Sequence, residues 1–383
     1  MEQNKRIIYL DNAGTTKPLP EYVNIYNYYQ SENFFNPSAP YHESLVLSNE
    51  IKECRRRIIS ILRGDGQFIF TASGTESDNL ALFGTKKANG SRIIVSASEH
   101  PAVMNTALEL KQRGYDVVFC EVDECGRVIT EKFKEIMTKE TALVSIMHVN
   151  NETGCVNDIK TLVKIAKSVN PKVIFHSDGV QAVGKIRVNL NDLGVDLYTV
   201  SAHKIHALKG IAGLFIKNGV NVKPIIYGGG QEFGIRSATE NVGGIMAFTK
   251  AIEDSVYAQK ENFEKVKTLR NELKKVFLET NCICVDSGDW QSPYILCAVM
   301  PKVRGEVMLH ALEKYGILIG TGSACSSKKT QKKLPSILKL VPEYEKGIIR
   351  LSLCRFTTEN EIKSFMDAYK KEFVLLLKYV GGM

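Results

Sequence analysis

"ALVSIMHVNNETGCVNDIKTLVKIAKSVNPKVIFHSD", residues 142–178, decides the fold. It opens on an apolar run through Val149 and closes on another at Val173–Phe175. Between them "DIKTLVKIAKSV" (158–169) spaces its apolar residues as a helix does, behind an Asp158 able to cap it. Runs that are apolar at successive positions suit strands covered on both faces. Strand, helix, strand is a parallel pair with its crossover. The same grammar extends both ways: "QFIFTAS" (67–73), "RIIVSAS" (92–98), "DVVFCEV" (116–122), "DLYTVSA" (196–202) and "AGLFIK" (212–217) all read as strands. From about 65 to 245 this predicts an α/β layer architecture, a mainly parallel sheet with helices on both sides.

After residue 250 the texture changes. A charged helical stretch from 251 to about 280 leads to strands near "ICVDS" (283–287) and "PYILCAVM" (293–300). A helix from about 305, a loop around Cys325, a strand near "GIIRLSLCRF" (347–356) and a terminal helix follow. This predicts a large domain over 15–250 and a smaller α+β domain built from 1–14 and 251–383.

Composition narrows the class. The 383 residues suffice for two such units, and 44% hydrophobic with 24% charged content is that of a globular chain. No run of about 18 apolar residues exists to span a membrane, and the first apolar run is too short for a secretory leader. Nine cysteines, an odd number with no CxxC pair, point to a reducing, cytoplasmic setting and to no zinc site. Cys282 and Cys284 read as ordinary strand thiols. A net charge of +8 is mild for this length and leaves no nucleic-acid footprint.

In a parallel sheet, ligands bind beyond the carboxyl ends of the strands. Five predicted strands end in polar groups: "SGTESDNLALFG" (73–84), "EHPAV" (99–103), "NNETG" (150–154), "SDGVQAVGK" (177–185) and "SAHKIHALKG" (201–210). Ser73, Gly74 and Thr75 precede a helical run, which makes an anion site; the plainer reading is a cap formed by Thr75 with Asp78. Asp178 ends a buried strand, where a carboxylate needs a cationic partner or serves as a helix cap. Lys204 follows an apolar strand. Alone it reads as a solvent-reaching loop lysine. With Asp178 one strand–helix unit earlier, it reads as a Schiff-base lysine with an acid for a pyridinium nitrogen, the pattern of pyridoxal phosphate sites. "TGSACSS" (321–327) sets Cys325 among small polar residues, so this thiol rides on a loop, and the "KKTQKK" run (328–333) beside it reads as solvated or as a docking patch for an acidic partner.

In order along the chain, "YLDNAGTT", "SGTESDN", "EHPAV", "HVNNETG", "SDGVQAVGK", "SAHKIHALKG", "GGGQEFGIRSATEN", "GSACSS" and "RLSLCRFTTENEI" resemble the cysteine desulfurases of the NifS/IscS-like group, in the class-V aminotransferase family of fold-type I pyridoxal phosphate enzymes. The resemblance implies pyridoxal 5'-phosphate on Lys204, Asp178 at its ring nitrogen, Gln181 at its phenolic oxygen and His100 stacked on its face. It implies Gly74, Thr75, Ser201 and His203 at the phosphate, joined by Thr239 from a second copy of the chain in a homodimer. Asn151, also beside the cofactor, and Arg350 are implied at the substrate carboxylate, a task suited to the planar guanidinium. The resemblance also implies that Cys325 takes the sulfur of L-cysteine as a persulfide, leaving L-alanine, and passes it to acceptor proteins such as an iron–sulfur scaffold or a tRNA-thiolation enzyme. Cys325 is also a candidate transient iron–sulfur ligand; no resident metal, nucleic acid or membrane is implied. Two departures stand out. Ser73 occupies a place where the family has Gly, so its hydroxyl either bonds phosphate or strains the turn, and the Cys325 loop is more basic than the pattern. Competing readings are a selenocysteine lyase or another β-lyase on the same scaffold, and a catalytically silent sulfur-relay protein.

Overall fold

The structure is a computed structural model that describes residues 7–321 and 334–380; the expectations for Cys325 and "KKTQKK" lie outside the described residues. The first elements are β1 (Ile8–Leu10), α1 (Pro20–Ser31), α2 (His42–Ile61), β2 (Gly66–Thr71) and α3 (Gly74–Gly84). Next come β3 (Arg92–Ser96), α4 (Pro101–Gln112), β4 (Asp116–Cys120), α5 (Thr130–Ile136), β5 (Thr141–Ser145) and α6 (Ile159–Val169). Then follow β6 (Ile174–Asp178), α7 (Leu190–Leu193), β7 (Leu197–Ser201), β8 (Ala212–Lys217), α8 (Val242–Tyr257) and α9 (Gln259–Glu279). The last are β9 (Ile283–Cys284), β10 (Ile295–Val299), α10 (Gly305–Glu313), β11 (Ile317–Thr321), α11 (Leu334–Ile337), β12 (Ile348–Ser352) and α12 (Glu359–Val380).

Every strand expected between 65 and 245 forms, and together they make one seven-stranded sheet in the order β2-β8-β7-β6-β5-β3-β4. Neighbours from β7 to β4 run parallel, while β8 is antiparallel to both β2 and β7. Successive residues face opposite cores, as a strand requires. Phe68, Phe70, Ile94, Val144, Tyr198 and Phe215 pack under α2, α6 and α8, and Ile69, Ile93, Val95, Leu143, Leu197 and Leu214 pack under α3 and α4. Burial on both faces explains the unbroken apolar runs. Asp158 caps α6 as expected, its side chain accepting from Thr161 N at 3.1 Å.

A second sheet has the order β1-β11-β12-β10-β9 and its own core, in which Leu273, Phe277, Leu296, Leu351, Phe365 and Tyr369 pack with α9 and α12. The charged stretch from 251 is two helices rather than one, broken at Ala258. The break follows from packing: α8 lies in the core of the large sheet and α9 in that of the second. Strand β11, which sequence reading passed over between helix and Cys325 loop, pairs with both β1 and β12.

Candidate active site

β6 ends at Asp178 and β7 at Ser201, and they are parallel neighbours with Asp178 opposite Thr199. Their carboxyl ends therefore meet. A 3₁₀ turn, Ala202–Lys204, carries the chain over this edge. Lys204 Nζ donates to the carbonyls of Ala13 and Gly14, each at 2.6 Å. Thr16 N and Oγ1 donate to His203 O at 2.9 and 2.8 Å, and His203 Nδ1 lies 3.1 Å from Thr15 Oγ1. The segment after β1 thus grips the Lys204 turn. Burial, then the Lys204 ammonium, pushes the His203 imidazole down to about 4, so it is neutral at physiological pH.

Asp178 is 6% exposed, and its Oδ1 accepts from Val180 N at 2.9 Å. Burial pushes its carboxyl up, while His100 and Lys204 pull it down. The same groups act on His100, whose imidazole is lowered by burial, raised by Asp178 and lowered by Lys204. His100 is also the N-cap of α4: its Nδ1 accepts from Ala102 N at 3.1 Å, which leaves the neutral ring's proton on Nε2. Gln181 Nε2 donates to Ala13 O at 3.0 Å, the carbonyl that Lys204 also uses.

The helix expected to bind an anion starts at Gly74, but its cap is not Thr75 with Asp78. Ser73 Oγ accepts from Glu76 N at 3.1 Å and Glu76 Oε2 accepts from Ala72 N at 2.9 Å, a reciprocal box that starts before Thr75. Ser73 is therefore spent on the helix. Asp78 is instead buried, 3.6 Å from His176 Nε2, with burial and then Asp178 pushing its carboxyl up. Gly74 closes on the end of β7: a Cβ there would stand 3.1 Å from Val180 Cγ2 and 3.7 Å from Ser201 Cβ. The first turn of α3, which holds Thr75, thus meets the end of β7 at Ser201.

Arg350 reaches the site from β12. Its Nη1 donates to Asn151 O at 2.9 Å and its Nη2 to Asp11 Oδ1 at 2.7 Å, while its buried Nε has no partner. It meets Asn151 through the backbone carbonyl; Asn150 next door is a folding residue, its Oδ1 accepting from Glu152 N and Thr153 N. Thr239 is exposed, on a loop pinned by Arg236 Nε donating to Glu76 Oε1 at 2.7 Å. Sequence reasoning missed Asp11, Lys185, Asp78 and Glu99. Glu99 has its Oε1 on Ser96 Oγ and Met147 N at 2.6 and 2.7 Å, and burial pushes its carboxyl up to about 8. All four lie inside quoted motifs; burial distinguishes Lys185, Asp78 and Glu99, and the contact with Arg350 distinguishes the part-exposed Asp11.

The profile of the aminotransferase class-V family matches residues 8–365. The chain belongs to that family. A cysteine desulfurase of Trichormus azollae is 37% identical over 367 residues, 94% of this chain and 91% of that protein. The cysteine desulfurase IscS of Dictyoglomus turgidum is 35% identical over 376 residues, 96% and 94% of the two chains. A solved structure described as a NifS-like protein aligns with a TM-score of 0.89 at 29% identity, covering 97% of this chain and 100% of that one. The fold is accordingly that of the fold-type I pyridoxal phosphate enzymes. The donors present suit that cofactor: a helix N-terminus with a side-chain-free Gly74 for a phosphate, a buried carboxyl for a ring nitrogen and an amine for an aldehyde.

Proposed function

We propose that this protein is a pyridoxal phosphate-dependent cysteine desulfurase that takes sulfur from L-cysteine as a persulfide on Cys325. The observation that carries the reading is Lys204 beside Asp178 at adjacent parallel strand ends, under a segment that holds the amine in place. The likeness to proteins named cysteine desulfurase supports it.

Pyridoxal phosphate, when bound, supplies an electron sink for the carbon that bears the substrate amine. Lys204 would hold the cofactor, and its amine would move the proton at the substrate Cα. Asp178 would face the ring nitrogen, Gln181 the phenolic oxygen and His100 the ring face. Gly74, Thr75, Ser201 and His203 would hold the phosphate. Asn151 and Arg350 would hold the substrate carboxylate; the unpartnered Arg350 Nε and the second proton of Nη2 give one edge of the fork for it. The Cys325 thiolate attacks the substrate sulfur: an S–S bond forms, the Cβ–S bond breaks with its pair left on carbon, and protonation there gives alanine.

The finer parts of the reading are proposals too. Residues 15–250 form the cofactor domain, with 1–14 and 251–383 the smaller one. The working unit is a cytoplasmic homodimer in which exposed Thr239 serves the other copy's phosphate. Acceptors are iron–sulfur scaffold or tRNA-thiolation proteins. Eight free cysteines among the described residues support a reducing setting. No helix among the described residues is long and apolar enough to cross a membrane.

Two variants test the core of this. Lys204→Ala should lose the visible absorbance of bound cofactor and all alanine formation. Cys325→Ser should keep cofactor and cysteine binding, seen as a spectral change on adding cysteine, yet release almost no alanine, since a hydroxyl forms no persulfide. Normal alanine output from Cys325→Ser would point to a general β-lyase instead.

A further inference from the structure

Lys185 has no role in the chemistry described so far, yet it is 7% exposed. A lysine is rarely buried without a partner, because its charged form is costly out of water. Its partner is Gln181, four residues earlier. The chain between them is a tight turn in which Ala182 N and Val183 N bond Gly179 O, and Ile186 N bonds Ala182 O. Residues four apart on such a turn share a face. Lys185 Nζ donates to Gln181 Oε1 at 2.6 Å. The ammonium also borders a cavity of about 20 Å³ that it shares with Lys204, Asn12, Thr16 and Cys354, room for about one water.

We propose that Lys185 is a positioning residue of the cofactor pocket: by capping Gln181 Oε1 it keeps the amide nitrogen turned toward the ring oxygen of pyridoxal phosphate. The inference rests on the desulfurase reading and adds a residue to it. An amide has two faces, an acceptor and a donor, and nothing in its shape chooses between them. A flipped Gln181 would set its NH₂ against the Lys185 ammonium, donor against donor. With Oε1 taken, Nε2 keeps two protons. One goes to Ala13 O at 3.0 Å, and the other is free for the pocket. Ala13 O also accepts from Lys204, so Lys185, Gln181, Ala13 and Lys204 form one chain of bonds. The charged and titratable groups facing Lys185 include Lys204, Arg350, Cys354, His203 and His206; burial first, then Lys204 and Arg350 with it, push its ammonium down to about 7.

Lys185→Met, near in length but without charge or donor, tests this in the purified, cofactor-loaded protein. The readout is the pH midpoint of the bound cofactor's absorbance. Losing the oriented amide donor at the ring oxygen favours the cofactor's protonated form. The midpoint should rise by about half a unit or more, the effect of one hydrogen bond. Lys185→Arg should restore part of the shift, while circular dichroism stays that of the wild type. Gln181→Leu, which removes the amide itself, should raise the midpoint as far, and adding Lys185→Met to it should change little. A wild-type midpoint in Lys185→Met, or in Gln181→Leu, overturns the proposal. So does a Lys185→Met shift that is fully additive with Gln181→Leu. A wild-type protein that takes up no pyridoxal phosphate removes the desulfurase reading and this one with it; loading with an unmoved Lys185→Met midpoint removes this one alone.

Discussion

At the scale of single residues, the site depends on close approaches as much as on reactive groups. Gly320, in β11, shows this. A Cβ there would stand 2.8 Å from Asp11 Oδ1 and 3.0 Å from both Arg350 Nε and Nη2. These atoms end side chains that can shift, so the fold would tolerate Gly320→Ala and the cost would fall on the guanidinium. We expect the variant to load cofactor with an unchanged spectrum while KM for cysteine rises roughly tenfold, the loss of one charge-assisted hydrogen bond. An unchanged KM would show that Arg350 does not meet the substrate. Glycine 320 was not legible as important in the sequence, because the atoms it admits come from residues 11 and 350, far away along the chain. Asp178 and Lys204 were legible, because each follows an apolar strand directly. Ser73 was half legible: a hydroxyl before a helix was visible, but that Glu76 takes it as a cap needed the turn itself.

At the scale of elements, strands read well where both faces are buried in an unbroken apolar run. All seven strands of the large sheet were legible from such runs, whereas β1, brief and at an edge, and β11, an interior strand next to the Cys325 motif, were not. Loops carry the least signal, and the one from Gly228 to Glu240 is held by a contact across the fold. Glu232 and Phe233 have φ of 52° and 58° and Gly234 one of 77°, a left-handed run that side chains disfavour. Arg55 in α2 grips Glu232 with both nitrogens at 2.5 Å, and its guanidinium lies 5.2 Å from the Phe233 ring centre. Phe70 N adds a bond to Glu232 at 2.9 Å. Arg55→Met would strand the buried carboxylate, a loss of about 3–5 kcal/mol. A lower melting temperature and weaker self-association in sedimentation are expected, since the loop carries Thr239. Adding Glu232→Gln should recover part of the stability by removing the orphaned charge. A variant that melts and sediments like the wild type would show that the loop is held by its other contacts, such as Arg236 with Glu76.

At the scale of the whole molecule, the two sheets meet at the site through residues 11–16. β1 belongs to the second sheet, yet the residues after it bond the Lys204 turn of the first. At that junction and within the large sheet, burial keeps histidines neutral. It pushes His148, His203 and His206 down to about 4 and His176 to about 3. Unfolded, each would titrate near 6.5. Between there and pH 4.5, the unfolded chain takes up protons that the folded one refuses, so stability falls as pH falls. Acids pushed up by burial oppose this: Glu99, raised to about 8, and Asp78 and Glu152, also raised, hold protons when folded and lose them on unfolding, while Asp178, raised as well, would be paired by the ring nitrogen in the loaded protein. Their contribution grows as pH drops from 8 and levels off near 4.5, where the unfolded acids are protonated too. The four histidines, with His100 lowered too, outweigh these three acids below about pH 6, leaving a net uptake of protons on unfolding. The melting temperature of the cofactor-loaded protein should therefore drop from pH 6.5 to pH 5. Thermal melts across that range check it: a flat or rising melting temperature would mean that the histidines are not held neutral in the folded protein.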